Sequence, residues 1–219
     1  MDEWGIDVTV GASQKGLMMP PGIGIVAAGE KALSATKEST MPRLYWDWKT
    51  RLEAEHYRKF CGTAPQLMVF GMREALNMLF EEGLENVFER HRVLAGATQA
   101  AVEVWGQAGT LSLNALEPKE RSNGVTTILT SDGIDADQLR NTCRDEMMVG
   151  LGGGLGNLSG NAFRVGHMGD INAPMLYAAL SAVESTLGYL DIKYASGGVT
   201  AAIEYVTKVK KNEAGPFSF

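Results

Sequence analysis

The chain has 219 residues, 45% of them apolar and 21% charged, an ordinary composition for one or two globular domains with a buried core. A net charge of −6 without a basic stripe excludes nucleic acid and anionic membrane surfaces as expected partners, because no dense positive field is present to release counterions. No run approaches the ~18 apolar residues of a membrane span, no positively charged leader stands at Met1-Asp2-Glu3, and Cys61 and Cys143 lack metal-ligand spacing, so a reducing cytoplasm is the expected setting.

The first element alternates, with Ile6, Val8 and Val10 on one side and Asp7 and Thr9 on the other, which predicts a strand. It runs through Gly11-Ala12-Ser13-Gln14 into Lys15, and a Gly/Pro-rich turn over 16–22 leads to a second apolar strand over 23–28. A lysine at the tip of a buried strand is a candidate nucleophile, because desolvation favours the neutral amine and that amine attacks carbonyl carbon. The plainer reading of the same residues is a solvated turn lysine.

A short helix is predicted over 31–38. A longer one over 66–82 carries Met68, Met72, Ala75 and Leu79 on one face. Gly83 interrupts the pattern, and 84–105 reads as a second long helix bearing Leu84, Phe88, His91, Leu94, Val102 and Trp105. The β-branched run 125–130 predicts a strand, and Asp135 caps a helix reaching about Met147. Strands are expected over 148–151 and 162–167, with a flexible glycine-rich loop between them. Asn172 and Pro174 open a helix bearing Leu176, Leu180, Val183 and Leu187, and a last helix is expected over 199–208.

The order β-β-α-α and then α-β-α-β-β-α-α predicts an α/β chain. Residues 1–88 form the end of a larger sheet domain and 89–219 a small carboxyl-terminal α/β domain. The glycine run 150–156 fits neither G-x-G-x-x-G nor a P-loop, which removes the nucleotide reading. His56, His91 and His167 have no ligand spacing, so no metal is expected. The carboxyl end, Gly215-Pro216-Phe217-Ser218-Phe219, is not a peroxisomal address.

Several ordered segments carry a family resemblance: Asp7 to Val26 with Ser13-Gln14-Lys15 and Pro20-Pro21-Gly22-Ile23-Gly24; Pro42-Arg43-Leu44-Tyr45-Trp46-Asp47-Trp48; Gly62-Thr63-Ala64-Pro65; Glu81 to Phe88; Phe163-Arg164-Val165-Gly166-His167-Met168-Gly169-Asp170; and Gly197-Gly198-Val199-Thr200-Ala201-Ala202. Together they resemble the class V pyridoxal-phosphate-dependent aminotransferases, nearest to the serine–glyoxylate and alanine–glyoxylate branch. The resemblance implies a fold-type I architecture, of which this chain matches the carboxyl-terminal part. It also implies transfer of an amino group from a small amino acid such as serine or alanine to glyoxylate or another 2-oxo acid.

Within that resemblance Lys15 forms the imine with pyridoxal phosphate and shuttles the proton. Gln14 and Thr63 contact the cofactor phosphate, Thr63 across a homodimer interface. Arg164 clamps the substrate carboxylate, for which a planar guanidinium fork is suited. The chain departs from some relatives in having Phe60 in place of a phosphate-binding tyrosine and Gly62 in place of a histidine. The family's phosphate-holding helix turn, the acid for the pyridine nitrogen and the ring-stacking residue lie upstream of the lysine and have no counterpart here. The stretch 1–5 resembles an internal stretch of relatives. Three alternatives stay open: a half-enzyme that takes its cofactor cradle from a partner chain supplying the amino-terminal half, a fragment, or a non-catalytic module. Cysteine desulfurase chemistry is disfavoured, since Lys15 follows glutamine where that branch carries histidine.

Overall fold

A computed structural model describes residues 1–212, so the carboxyl-terminal segment weighed above as a targeting address lies outside the described residues. The chain divides into two compact units, residues 1–82 and 83–219.

The first unit opens with an antiparallel hairpin of β1 (Val8–Ala12) and β2 (Gly24–Ala28), in register Val8↔Ala28 to Ala12↔Gly24. Three short helices follow, α1 (Glu30–Ala35), α2 (Trp48–Arg51) and α3 (His56–Lys59), and then α4 (Gln66–Glu82). The predicted inner face of α4 is the observed one, with Ala75 and Leu79 buried and Met68 and Met72 half-buried. The hairpin differs from expectation. It is a two-stranded ribbon whose apolar residues stay open to solvent, Val10 at 74% and Val26 at 49%, because no second layer covers it among the described residues. In this unit only Ser13, Ala75 and Leu79 are buried among the described residues.

The second unit has a true interior. The helix α5 (Leu84–Trp105) begins after Gly83, whose φ of 84° is left-handed and ends the preceding helical pattern. Burial on α5 starts at Val87 and continues through Leu94, Ala97, Ala101, Val102 and Trp105, whereas Leu84 and Phe88 are exposed. Four antiparallel strands follow in the spatial order β3-β4-β6-β5: β3 (Leu111–Leu113), β4 (Val125–Thr130), β5 (Gly152–Gly153) and β6 (Ala162–Gly166).

The register fixes two faces. Leu113 opposite Ile128, Ile128 opposite Phe163 and Thr126 opposite Val165 form the buried face. Thr127, Arg164 and Gly152 line up on the more open one. Helix α6 (Ala136–Glu146) is capped by the Asp135 carboxylate, which accepts from the amides of Asp137 and Gln138. The strand expected over 148–151 does not form. Met148 takes a φ of 57°, and the Val149 amide turns back to the Cys143 carbonyl to close α6, so pairing begins only at Gly152.

Helix α7 (Ala173–Tyr189) carries buried Leu176, Leu180, Val183 and Leu187, with Asn172 as its cap and Pro174 in its first turn. Helix α8 (Gly198–Asn212) packs along α5 and α7. One carboxylate organises that junction. Glu184 on α7 accepts from the indole Nε1 of fully buried Trp105 at 2.9 Å, from the Val199 amide at 3.1 Å and from the Gly197 amide at 3.3 Å. It therefore serves as the N-terminal cap of α8 and the partner of the core indole at once. Gly198 sits so close to this indole that a β-carbon there would lie 2.1 Å from Nε1.

Candidate functional site

Lys15 lies in the turn after β1, and the turn is built around Ser13. The buried Ser13 hydroxyl donates to the Pro20 carbonyl at 2.7 Å and accepts from the Ile23 amide at 3.2 Å. The Ser13 amide donates to the Ile23 carbonyl, and the Ser13 carbonyl accepts from Met19. Met18 then reverses the chain at a φ of 59°, with its amide on the Lys15 carbonyl at 2.9 Å. A buried hydroxyl with both roles filled fixes a short turn strongly. The Lys15 side chain emerges from that rigid base into solvent, with Gln14 exposed beside it. The expectation of a lysine at the tip of a buried strand is thus corrected for this chain, since the ribbon beneath it is open. Ser13 was part of the sequence motif, but nothing in the sequence assigned it this pinning role.

Thr63 is exposed on the segment before α4, in the same unit as Lys15 and Gln14. An apolar groove of that unit, lined by Ile23, Phe60, Val69, Met72, Leu76 and Phe80, does not include Lys15, Gln14 or Thr63. Arg164 belongs to the other unit, half-buried at the centre of β6 on the open sheet face. Its Nε donates to the Gly153 carbonyl at 2.7 Å. With Nε committed, the two terminal nitrogens form the edge of the guanidinium that can take a two-oxygen acceptor.

The segment after β6 is held from several directions. His167 is fully buried, its Nδ1–H donating to the Asn123 carbonyl at 3.0 Å and its Nε2 accepting from the Thr126 hydroxyl at 2.8 Å. His91 donates from Nδ1 to the Val87 carbonyl at 2.6 Å and accepts the Gly169 amide on Nε2 at 2.9 Å. Arg90 donates to the carbonyls of Gly169 and Ile171. Both rings have their two nitrogens committed to partners within the fold. Burial pushes His167 down to about 4, His91 nearby pushes the same way, and the Asn123 carbonyl pulls back.

The sign of the linkage follows. The unfolded ring takes its proton near 6.5 and the native ring only near 4, so between these values the unfolded state binds more protons. The contribution of neutral His167 is whole above pH 6.5 and is lost as pH falls toward 4, about 3 kcal/mol in all. Denaturant midpoints measured from pH 7 to 4 should show this slope, and His167→Gln should flatten it. An unchanged slope in the variant would assign the acid sensitivity to other groups.

Among the described residues no group of three His, Cys, Asp or Glu could hold a metal ion, and no helix is long and apolar enough to cross a membrane. Both cysteines are free, Cys61 exposed and Cys143 buried.

The chain is similar to known proteins in sequence and in fold. The family model described as "Aminotransferase class-V" matches residues 1–157. The chain is 39% identical over 211 residues to a serine–glyoxylate aminotransferase of Methylorubrum extorquens, covering 94% of this chain and 52% of that protein. It is 38% identical over 210 residues to a serine–glyoxylate aminotransferase of Arabidopsis thaliana, covering 94% and 51%. Among solved structures it is similar to the pyridoxamine–pyruvate aminotransferase of Mesorhizobium loti, with a TM-score of 0.83, 28% identity and coverage of 93% and 52%. The chain spans about half the length of the curated relatives it matches.

Proposed function

The chain belongs to the class V aminotransferase family, and from that premise we propose that it is the lysine-bearing part of a transaminase that moves an amino group from serine, or a similarly small amino acid, to glyoxylate. The expected α/β, fold-type I architecture holds, and pyridoxal phosphate is the cofactor of the family. The observation that carries the proposal is the Ser13-pinned turn, which presents Lys15 with its amine unencumbered at the motif position of the attachment lysine.

The residues present fit one end of the cofactor. Lys15 offers an amine and Gln14 an amide beside it, both exposed on one rigid turn. Bound pyridoxal phosphate supplies an electron sink for the α-carbon of the amino acid. In this proposal Lys15 holds the cofactor aldehyde in the resting state and afterwards carries the proton between the α-carbon and the cofactor. Gln14 donates to the phosphate. Thr63 donates to the phosphate held by a neighbouring subunit of a homodimer. Arg164 orients the substrate through its carboxylate, using the two terminal nitrogens left by the Gly153 tether. The free state of both cysteines accords with a cytoplasmic setting.

A second reading has its own observation. The chain spans about half the length of the curated relatives it matches, and the turn offers the cofactor only an amine and an amide, so this reading gives the remaining contacts to phosphate and ring to further residues. Under this reading the chain works as a half-enzyme, and those residues come from the part of the relatives that it does not span. The test is incubation with pyridoxal phosphate, borohydride reduction and peptide mapping. It is run on the chain alone and on the chain combined with the unspanned half of a relative. Label concentrated on Lys15 is the expected result, in the first sample for a self-sufficient site and only in the second for a half-enzyme. Label scattered over the exposed lysines in both samples overturns the proposal.

A further inference from the structure

The glycine pair that forms β5 is gripped on both faces. Successive residues of a strand face opposite ways. A β-carbon at Gly152 would lie 3.2 Å from the Arg164 β-carbon and 3.4 Å from its Nε, on the open face of the sheet. A β-carbon at Gly153 would lie 2.9 Å from the guanidinium carbon of Arg140, on the other face. Each glycine lets one arginine lie flat against the backbone, and neither position has room for a side chain without moving that arginine.

The two arginines also share a rail of carbonyls. Arg164 donates from Nε to the Gly153 carbonyl at 2.7 Å, and Arg140 donates from Nε to the Leu151 carbonyl at 3.2 Å. Arg140 is itself oriented by Asp137, one turn earlier on α6, at 2.5 Å. The strand so held is two residues long, lies at the sheet edge and consists of glycine, the residue with most backbone freedom to lose. Beyond its pairing with β6 and the Gly154 amide on the Ala162 carbonyl, little in such a strand fixes its own position.

We infer that Arg140 is a positioning residue for Arg164: by holding the Leu151–Gly153 rail from the core side, it fixes the carbonyl to which the Arg164 guanidinium is tethered and so aims its terminal nitrogens. The inference rests on the reading of Arg164 as the carboxylate clamp for its consequence in catalysis, but the tether itself can be read independently. Arg140 touches neither substrate nor cofactor in this arrangement. Its removal lowers apparent affinity for the amino donor and leaves the lysine chemistry of the other unit alone.

The experiment uses the full chain labelled with nitrogen-15, with the Arg164 Nε–H signal assigned by its loss in Arg164→Lys. In Arg140→Gln this proton should exchange with solvent about tenfold faster than in the parent, the change expected when one charged hydrogen bond to a carbonyl is loosened. Arg140→Lys, which keeps a cation able to reach the Leu151 carbonyl, should recover part of the protection. Asp137→Asn tests the same prop should Arg140→Gln fail to fold. In the transamination assay of the assembled enzyme, Arg140→Gln should raise the KM for serine several-fold with kcat little changed. A lower melting temperature with unchanged Arg164 exchange would mean that Arg140 serves stability alone and would overturn the inference. Should Arg164→Lys leave the serine KM unaltered, the clamp reading fails instead, and the exchange rates still decide whether Arg140 positions Arg164.

Discussion

Replacing Lys15 with alanine should abolish amino transfer in the assembled enzyme, lowering kcat by at least about a thousandfold, or about 4 kcal/mol of barrier. On the proposed assignment two roles are lost together: the amine that would hold the cofactor aldehyde and the base that would carry the proton. Neither Gln14 nor any other side chain of the turn can replace an amine in either role. The fold should be indifferent, because the Lys15 side chain is exposed and the turn is held by Ser13, Pro20 and Ile23. The matching measurements are a steady-state assay, a melting curve and the borohydride label. Turnover falls to background, the melting curve is unmoved and the label leaves this peptide. A small primary amine added to the buffer should restore a fraction of the proton-transfer rate. Turnover within tenfold of the parent would sink the assignment of Lys15.

Glu184→Ala should be the costliest single change in the second unit outside its apolar core. The parent carboxylate answers three donors: the indole of buried Trp105 and the amides of Gly197 and Val199 at the start of α8. Alanine strands an indole N–H inside the core and uncaps a helix in the same step. With about 1–3 kcal/mol for each buried donor left unpaired and part of that recovered by water at the half-exposed helix end, the loss is about 3 kcal/mol. For a unit of this size that corresponds to a fall of about 10 °C in melting temperature. Glu184→Gln keeps an acceptor for the indole but not the charge at the helix terminus, and it should lose about 1 kcal/mol. Denaturant unfolding of both variants separates the two contributions. If alanine proved as stable as the parent, the indole and α8 would have to find other partners.

Legibility in the sequence followed the range of the interaction. The helices α4 and α5 could be delimited because long apolar periods meet a glycine between them, and α7 because Asn172 and Pro174 mark its start. The strand β4 announces itself by its β-branched run. Residues 148–151 misled, since an apolar stretch near a glycine run reads as a strand, whereas hydrogen bonding back to Cys143 uses that segment to finish a helix. The three residues of β3 are too few for any periodicity to register.

At the candidate site, Gln14, Thr63 and Arg164 are legible only through a family likeness carried by short motifs, and Lys15 also through the alternating strand that precedes it. Their surroundings were not legible. The Ser13 pin joins residues up to ten positions apart, the Glu184–Trp105 bond spans 79, and the tether of Arg164 depends on strand register. Pairings of that kind are properties of the folded chain, and no local pattern encodes them.

The scarcity of interior in the first unit has a calorimetric consequence. The heat-capacity step on unfolding scales chiefly with the apolar area newly exposed to water. A unit whose apolar residues Trp4, Val10, Leu67, Phe70 and Phe80 already face solvent adds little to that step. Most of the curvature of the stability profile with temperature should therefore come from the described residues of the second unit, 83–212. The lysine-bearing unit should soften gradually on warming, without a sharp peak of its own, until something covers its apolar surface.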